Sequence, residues 1–438
     1  MVRRGDAPGR AAFRQLALVA TAQVFALCTW FAASAAAPAV RAEWGLSGAQ
    51  VPLLTTAVQV GFVVGALASA ALNLPDRLDP ARLMAVSAMG AALSTAGVAL
   101  FARGLWVAVP LRLLTGMCLA GVYPVGLKLA SSWFRERRGF ALGVLVGALT
   151  AGSTLPQLVG GSLGERWRPG LMIAAGLAAL AALLASRARP GPFAGPPTTL
   201  QPGVIGTLLR LRGPRLANLG YFGHMWELYA VWTWLPAYLA ASAAAAGTPL
   251  PASARGAILF AVLGLCGVLG CLAGGYLGDS WGRARTAAAA MLASGSCCLA
   301  AAALYGRTLW LLIPVLAIWG ATVIADSAMF STCTTQVVDQ RYTGTALTFQ
   351  TAIGFLITVI TIQGVPLVAG AASWPLAIAL LAAGPLLGCV AMLRLSALLP
   401  PSSPGSKPGS KPGSKPASKE TPCPLGPAAP RRSANALP

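Results

Sequence analysis

Four ionisable side chains lie inside long apolar stretches of this 438-residue chain: Arg112, His224, Glu227 and Asp326. An unpaired charge in such surroundings is costly, and ionisable residues there typically mark a solute site or a proton path. Each of the four is therefore a functional hypothesis whose partner has to be found. The remaining sequence has to explain how they are positioned.

His224 and Glu227 are three residues apart and share one face of a helix. At about 1.5 Å per residue, they lie roughly 12–17 Å from the start of their apolar stretch, close to mid-membrane. Burial favours the neutral form of a carboxylic acid, and histidine titrates near neutral pH. The pair predicts a proton-exchanging site; a neutral His–Glu hydrogen bond that stabilises helix packing is the alternative. His224 is the sole histidine, so no metal site is expected.

Asp326 lies in a later apolar stretch that crosses the membrane in the opposite direction. Its depth is similar to that of His224 and Glu227, so the three are expected to converge. Arg112 stays charged at any working pH and needs a partner. It predicts either an anion-binding or proton-coupling role or a strut between helices, and both remain open. Further substrate or proton-binding candidates are polar and aromatic: Gln23, Trp30, Tyr221 and Gln350.

The composition indicates a membrane protein with several spans. Hydrophobic residues make up 56% of the chain and charged residues 10%, and the mean hydropathy is +0.70. A spanning helix needs about 20 apolar residues. Twelve windows qualify, predicting an all-α polytopic protein: 16–38, 51–74, 83–101, 106–129, 140–160, 170–185, 216–239, 256–276, 286–305, 309–333, 344–368 and 374–393.

The net charge of +21 follows the positive-inside rule. With the N-terminus in the cytoplasm, the external loops hold six of the 32 basic residues: Arg41, Arg103, Arg166, Arg168, Arg255 and Arg307. This placement accounts for the charge without a nucleic-acid partner. It predicts a multi-pass protein of the cell inner (plasma) membrane with both termini cytoplasmic. Eight cysteines lie in the windows and Cys423 near the C-terminus, which indicates no disulfide framework.

Two pairs of similar segments indicate two related halves. The loop Gly275-Tyr-Leu-Gly-Asp-Ser-Trp-Gly-Arg-Ala-Arg285 has a blurred copy at Asn73-Leu-Pro-Asp-Arg-Leu-Asp-Pro-Ala-Arg82, and their aspartates Asp76 and Asp279 are 203 residues apart. Gly139-Phe-Ala-Leu-Gly143 and Gly344-Thr-Ala-Leu-Thr348 repeat at an offset of 205. Glycines here allow close helix approach.

The predicted organisation has five parts. An N-terminal cytoplasmic segment (1–15) precedes a six-helix bundle (16–185), and a cytoplasmic linker (186–215) with a short surface helix around 204–212 leads to a second six-helix bundle (216–397). The last part (398–438) is basic and rich in Pro, Gly, Ser and Lys, a composition typical of a disordered tail.

With Gly275, Asp279, Gly282 and Arg283 in register, the loop resembles the one between helices 2 and 3 of major facilitator superfamily (MFS) transporters. Arg112-Leu-Leu-Thr-Gly116-Met-Cys-Leu-Ala-Gly121 is similar to the fourth-helix motif of that family. The resemblance covers residues 15–397 and implies the MFS fold, two pseudo-symmetric six-helix bundles with twelve transmembrane helices. It also implies a gating motif: Asp76, Arg77, Gly275, Asp279, Gly282 and Arg283.

Segments of the seventh and tenth windows are similar to the nitrate- and cyanate-porter-like branch of bacterial MFS proteins. Nitrate porters hold their anion with buried arginines from helices 2 and 8. Windows 51–74 and 256–276 of this chain contain neither arginine nor lysine, so nitrate is not the expected substrate.

The resemblance implies a secondary active transporter that moves a small, organic solute by alternating access, as a proton-coupled symporter. The alternatives are a multidrug/proton antiporter, although Gly152, Pro156 and Gly160 depart from the spacing of the antiporter signature, and a transporter-like receptor or sensor. No phosphate-binding loop or nucleophile–base pair is present, so no enzymatic activity and no cofactor are expected. The expected partners are the solute, protons and the lipid bilayer, around a monomer.

Overall fold

The computed structural model describes residues 9–134, 138–164, 166–193 and 201–399. The predicted tail lies outside the described residues from Pro400 onward, as does the middle of the linker. The described chain is built from helices.

Twelve long helices follow one another. They are α1 Arg10–Ala35, α2 Leu53–Ala71, α3 Pro80–Phe101, α4 Leu105–Ser131, α5 Arg138–Leu163, α6 Trp167–Ala185, α7 Arg212–Ala245, α8 Ala252–Ser280, α9 Arg283–Ala303, α10 Leu309–Val337, α11 Thr343–Ala371 and α12 Trp374–Ser396. Eleven of these described helices are long and apolar enough to cross a membrane. The other is α7, which spans 34 residues and is less apolar because it carries the histidine, the glutamate and several aromatic residues. The predicted twelve-helix, all-α fold is confirmed.

The helices extend beyond the apolar windows, because backbone hydrogen bonding continues where apolar composition stops. α1 begins at Arg10, inside the segment predicted to precede the first bundle, and ends at Ala35. Pro38, predicted at the end of the first span, instead lies in the first turn of a separate short helix, Ala37–Trp44. The predicted surface helix of the linker is present as Ile205–Arg210.

Three of the long helices are interrupted and one contains a π-helical turn. α4 is broken between Leu119 and Tyr123, α10 at Asp326, and α12 at Ala382. In α8 the segment Phe260–Leu265 is π-helical. Such irregularities are common at functional sites in membrane helices.

The helices form two six-helix bundles, α1–α6 and α7–α12, that meet along two seams, α5 against α8 and α2 against α11. We call the end of the protein that carries Asp76 and Asp279 the loop end, and the other, which carries the helix Ala37–Trp44, the far end. In the α5–α8 seam, Gly161 and Gly256 face each other, and a Cβ on either would lie within 3.0 Å of the opposite backbone. Small residues allow this close backbone approach.

At the far end, Glu43 connects the helix Ala37–Trp44 to the start of α6. Its Oε1 and Oε2 each accept a hydrogen bond from Arg168 at 2.8 Å, and Oε2 also accepts one from Trp167 Nε1 at 2.6 Å. The Arg168 guanidinium lies 4.3 Å from the centroid of the Trp167 ring. These hydrogen bonds, first those from Arg168 and then that from Trp167, hold the pKa of Glu43 below its usual value.

We expect Glu43→Gln to lower the thermal stability of the purified protein at pH 7, by at most about 1 kcal/mol because the pair is exposed. A carboxylate with a lowered folded-state pKa stabilises the fold above its unfolded pKa, about 4.3, and loses that contribution as pH falls through the folded value. The difference in melting temperature between wild type and variant should therefore shrink below about pH 4. A difference that persists unchanged at low pH would contradict this account.

Candidate functional site

The predicted gating residues lie at the loop end, in or beside the α2–α3 and α8–α9 loops. Asp279 Oδ1 is 3.3 Å from Arg283 Nη2, one helical turn away. Asp76 forms an ion pair with Lys128 of α4, which the sequence did not predict. Arg77 is exposed. Gly282 has φ +102°, a conformation that favours glycine.

One part of the gating prediction needs correction. Gly275 does not provide the close helix approach: a Cβ there would meet open space. The glycines next to it in the chain that face α10 are Gly274, against the Ala325 backbone, and Gly278, against the Met329 side chain. A helix presents every third or fourth residue to a neighbour, and the sequence alone did not say which glycine of the run faced α10.

Arg112 is fully buried, and its guanidinium nitrogens donate hydrogen bonds to backbone carbonyls. Nε donates to Leu54 O at 3.2 Å, Nη1 to Thr29 O at 2.7 Å and Nη2 to Trp30 O. One turn along α4, Gly116 lets the α2 backbone approach closely. Of the two roles predicted for Arg112, these contacts favour the strut, which joins α4 to α1 and α2.

Glu227 lies on α7, is 2% exposed, and has three hydrogen-bond donors on one oxygen. Oε1 accepts from Ser294 Oγ at 2.7 Å, Cys298 Sγ at 2.9 Å and Trp319 Nε1 at 2.6 Å. The donors come from α9 and α10, so this carboxyl group joins three helices of the second bundle.

His224 lies one turn before Glu227, and its ring bridges two residues of α10. Nδ1 is 2.9 Å from Asp326 Oδ1, and Nε2 is 2.9 Å from Ser327 Oγ. Asp326 occupies the break in α10, at the C-terminus of Leu309–Ala325. The three predicted ionisable residues thus converge. In this arrangement His224 pairs with Asp326, not with Glu227 as the hydrogen-bonding alternative required. We call His224, Glu227, Asp326 and their partners Ser294 and Ser327 the buried polar cluster.

The two candidates on α1, Gln23 and Trp30, contact different parts of the protein. Gln23 Nε2 donates to Tyr123 O of α4 at 3.1 Å, while Gln23 Oε1 has no hydrogen-bond partner in the described part of the chain. Trp30 is 1% exposed and its ring meets rings of the second bundle. Gln23 and Trp30 therefore lie at different interfaces, although they share a helix.

Gln350 and Tyr221 lie near the loop-end side of the buried polar cluster. Gln350 Nε2 donates to Thr334 Oγ1 at 2.9 Å and joins α11 to α10. Tyr221 is half-buried, with its ring centroid 5.8 Å from that of Phe330 and 6.3 Å from that of His224. The structure therefore brings Tyr221, but not Gln23, close to the ionisable residues.

Sequence reasoning missed the partners of Glu227 on α9 and the rings that surround Trp30. Ser294 and Cys298 are spaced i, i+4 in an alanine-rich window, a pattern that could have indicated a polar stripe. Phe62, Tyr229 and Phe355 come from three helices, and no spacing in the chain relates them. Among the described residues, no three His, Cys, Asp or Glu side chains are placed to hold a metal ion.

Comparisons with known proteins agree with the architecture. The family model of the Major Facilitator Superfamily matches residues 19–362. A solved structure of a mutant of the nucleoside transporter NupG superposes with a TM-score of 0.67, covering 88% of this chain and 99% of that chain at 13% sequence identity. At that identity the likeness concerns the fold, and neither comparison supports the nitrate/cyanate branch. Comparison with curated proteins gives no significant match. With more than half its length matched by the family model, the chain belongs to the Major Facilitator Superfamily.

Proposed function

We propose that this multi-pass secondary transporter moves a small organic solute by alternating access and that proton binding at Glu227 drives the cycle. The observation that carries the proposal is the position of Glu227: a carboxyl group on a membrane helix, buried, with donors from two neighbouring helices on a single oxygen. An ionisable residue held in this way inside a membrane has a cost that a structural role alone would not require.

Protonation changes how strongly α7 is held by its neighbours. An ionised Glu227 accepts charge-assisted hydrogen bonds from Ser294 and Trp319, which contribute about 1.5–3 kcal/mol each, against about 0.5–1.5 kcal/mol for neutral pairs. Binding a proton therefore weakens the connection of α7 to α9 and α10. It also removes the charge that would oppose closing the site around a solute.

His224 and Asp326 adjust this switch. The two are in contact, and Asp326 lies at the break in α10, so a change in their charge acts on a helix that is already interrupted. We assign His224 to tuning of the proton affinity and Asp326 to a reserve proton site. The contacts of Arg112 with carbonyls support a structural part for that residue in the cycle.

The distribution of basic residues supports an orientation with the loop end and both termini in the cytoplasm and the far end outside, in the inner (plasma) membrane. In this proposal the transporter works as a monomer, and the solute and the proton move in the same direction.

The proposal is tested with purified protein in proteoliposomes, after a thermal-stability screen of carboxylates, amines and neutral organic solutes has identified a ligand. A gradient of one pH unit, coupled to one proton per solute, should accumulate the solute about tenfold. A protonophore should abolish the accumulation and leave exchange intact. Accumulation that ignores the pH gradient would refute proton coupling.

Asp279 is expected to act in the loop-end gate and not as a ligand. Asp279→Asn should slow transport and shift the balance between inward- and outward-open states, by no more than about fivefold, because its ion pair with Arg283 is exposed. Asp339→Asn, which removes another exposed aspartate paired with an arginine, is the matched control. Loss of solute affinity in Asp279→Asn, with the conformational balance unchanged, would show that the gate assignment is wrong.

A further inference from the structure

Four aromatic rings from both bundles meet at the interface, three of them near the middle of their helices. Trp30 of α1 lies 5.0 Å from Phe62 of α2, 5.7 Å from Tyr229 of α7 and 5.7 Å from Phe355 of α11, measured between ring centroids. Phe62 and Phe355 are 4.5 Å apart, and Tyr229 and Phe355 are 5.1 Å apart. We call these four residues the interface aromatic cluster. All are at most 6% exposed.

The position of the cluster matches that of a solute site. Phe62, Tyr229 and Phe355 lie near the centres of helices of 19, 34 and 29 residues, which places the rings near the membrane midplane. Solute sites in transporters built from repeats lie at that depth, between the repeats. Contacts across this interface must change in each transport cycle.

Polar atoms around the cluster have no partner. Trp30 Nε1 and both side-chain polar atoms of Gln59, a residue 0% exposed, lack hydrogen bonds within the described residues. Gln59 is one turn from Phe62 and shares its face of α2. Buried tryptophan N–H groups usually find an acceptor, and each buried group left unpaired costs about 1–3 kcal/mol. Three such atoms beside one ring cluster point to a ligand that supplies their partners.

The chemistry of the cluster limits what that ligand can be. The two nearby charged groups already have partners. The Arg112 guanidinium donates to backbone carbonyls, including that of Trp30, and Glu227 accepts hydrogen bonds from residues of the second bundle. Beside the aromatic faces, the buried groups without a partner in the described residues are therefore one N–H donor and one amide. They fit an uncharged planar ring that bears a hydrogen-bond acceptor.

Little movement would admit such a ring. Trp30 and Phe355 are stacked, with an interplanar angle of 30° and centroids 5.7 Å apart. A planar solute between them needs about 7–8 Å, twice the van der Waals separation of carbon atoms. The two bundles would have to separate by roughly 2 Å at this point.

We infer that the interface aromatic cluster is the solute site of this transporter and that its solute is an uncharged aromatic or heteroaromatic molecule with a hydrogen-bond acceptor. The inference rests on the proposed transport function and specifies its substrate class. Trp30 Nε1 donates to the acceptor of the solute, the Gln59 amide pairs with a second polar atom, and Phe355 and Trp30 stack on the ring.

The test measures thermal stabilisation of the purified full-length chain by benzamide, nicotinamide, indole and adenine, with cyclohexanecarboxamide as the saturated counterpart of benzamide. Stabilisation by a ligand grows with its concentration relative to Kd, so the shifts yield relative affinities. At least one aromatic probe should stabilise the protein. Where that probe is benzamide, cyclohexanecarboxamide at the same concentration should have no effect.

Two variants locate the binding. Trp30→Phe keeps the ring and removes the donor, and should weaken binding of a stabilising probe that has an acceptor roughly 2- to 13-fold. Phe355→Leu removes one stacking face and should also weaken binding. Trp106→Phe is the matched control. Trp106 is 95% exposed at the start of α4, so this variant should bind the probes as the wild-type protein does.

The inference is overturned if no aromatic probe stabilises the wild-type protein, if the saturated amide matches benzamide, or if both cluster variants bind as the Trp106→Phe control does. Failure of the proposed function looks different. A non-aromatic solute that accumulates under a pH gradient would leave proton coupling standing and remove the substrate class. If an aromatic probe needs the cluster for binding but its flux does not depend on pH, the substrate class stands and proton coupling is refuted.

Discussion

Glu227→Gln is expected to bind and exchange solute but to lose proton-driven accumulation. The amide oxygen of glutamine still accepts from Ser294 and Trp319, so the helix packing around this position is retained. The amide, however, has no ionised state to alternate with, and resembles the protonated carboxyl group at every pH. Under a gradient of one pH unit, the accumulation ratio should fall from about ten to about one.

The measurement compares uptake and exchange in proteoliposomes of equal protein content across a range of pH values. Ser294→Ala is the matched control: it removes one donor to Glu227 but keeps the carboxyl group, so accumulation should persist with an altered pH dependence. Full accumulation by Glu227→Gln would exclude this residue as the proton carrier. Loss of accumulation in Asp326→Asn alone would then assign the role to Asp326.

Arg112→Gln is expected to cause a large loss of folded protein. Arg112 is 0% exposed and its three nitrogens donate to carbonyls of Thr29, Trp30 and Leu54. Glutamine is shorter and cannot reach all three, so buried acceptors lose their donor and a cavity remains. We expect a destabilisation of at least about 3 kcal/mol, since hydrogen bonds from a charged donor contribute about 1.5–3 kcal/mol each.

Melting temperature and monodispersity in detergent measure this loss. Arg103→Gln removes an exposed arginine just before α4 and should be nearly neutral, which controls for the change of charge. Arg112→Lys keeps the charge but replaces the planar fork with a single ammonium, so it should be intermediate. A stable, monodisperse Arg112→Gln that has lost solute binding would instead place Arg112 in the solute site.

The long apolar windows predicted the number of helices, because spanning a bilayer leaves few alternatives to a helix of about 20 apolar residues. Convergence of His224, Glu227 and Asp326 also followed from the sequence, since depth along each helix can be counted. The partner of His224, by contrast, did not follow from the sequence. Whether His224 meets Glu227 or Asp326 depends on the rotation of α7 against α10, which a single sequence does not reveal.

The same limit applies to Trp30 and Gly275. Trp30 was a candidate, but its neighbours Phe62, Tyr229 and Phe355 are distant in the chain and meet only through the arrangement of four helices. Gly275 was chosen for its place in a repeated loop, while the adjacent Gly274 makes the close approach. Position in a motif predicted the loop and not the direction in which each residue faces.

The glycine contact between α5 and α8 has a genetic consequence. Every single-base change that replaces a glycine with another residue adds a side chain, and at Gly161 or Gly256 even a methyl group would collide with the opposite backbone. A phenylalanine or tyrosine codon, by contrast, is one base away from the other aromatic. Under the proposed assignment of the solute site, lineages descended from this protein can alter the rings at the midplane stepwise and acquire new solute preferences. The α5–α8 contact does not admit such stepwise change, because any residue larger than glycine there would meet the opposite backbone.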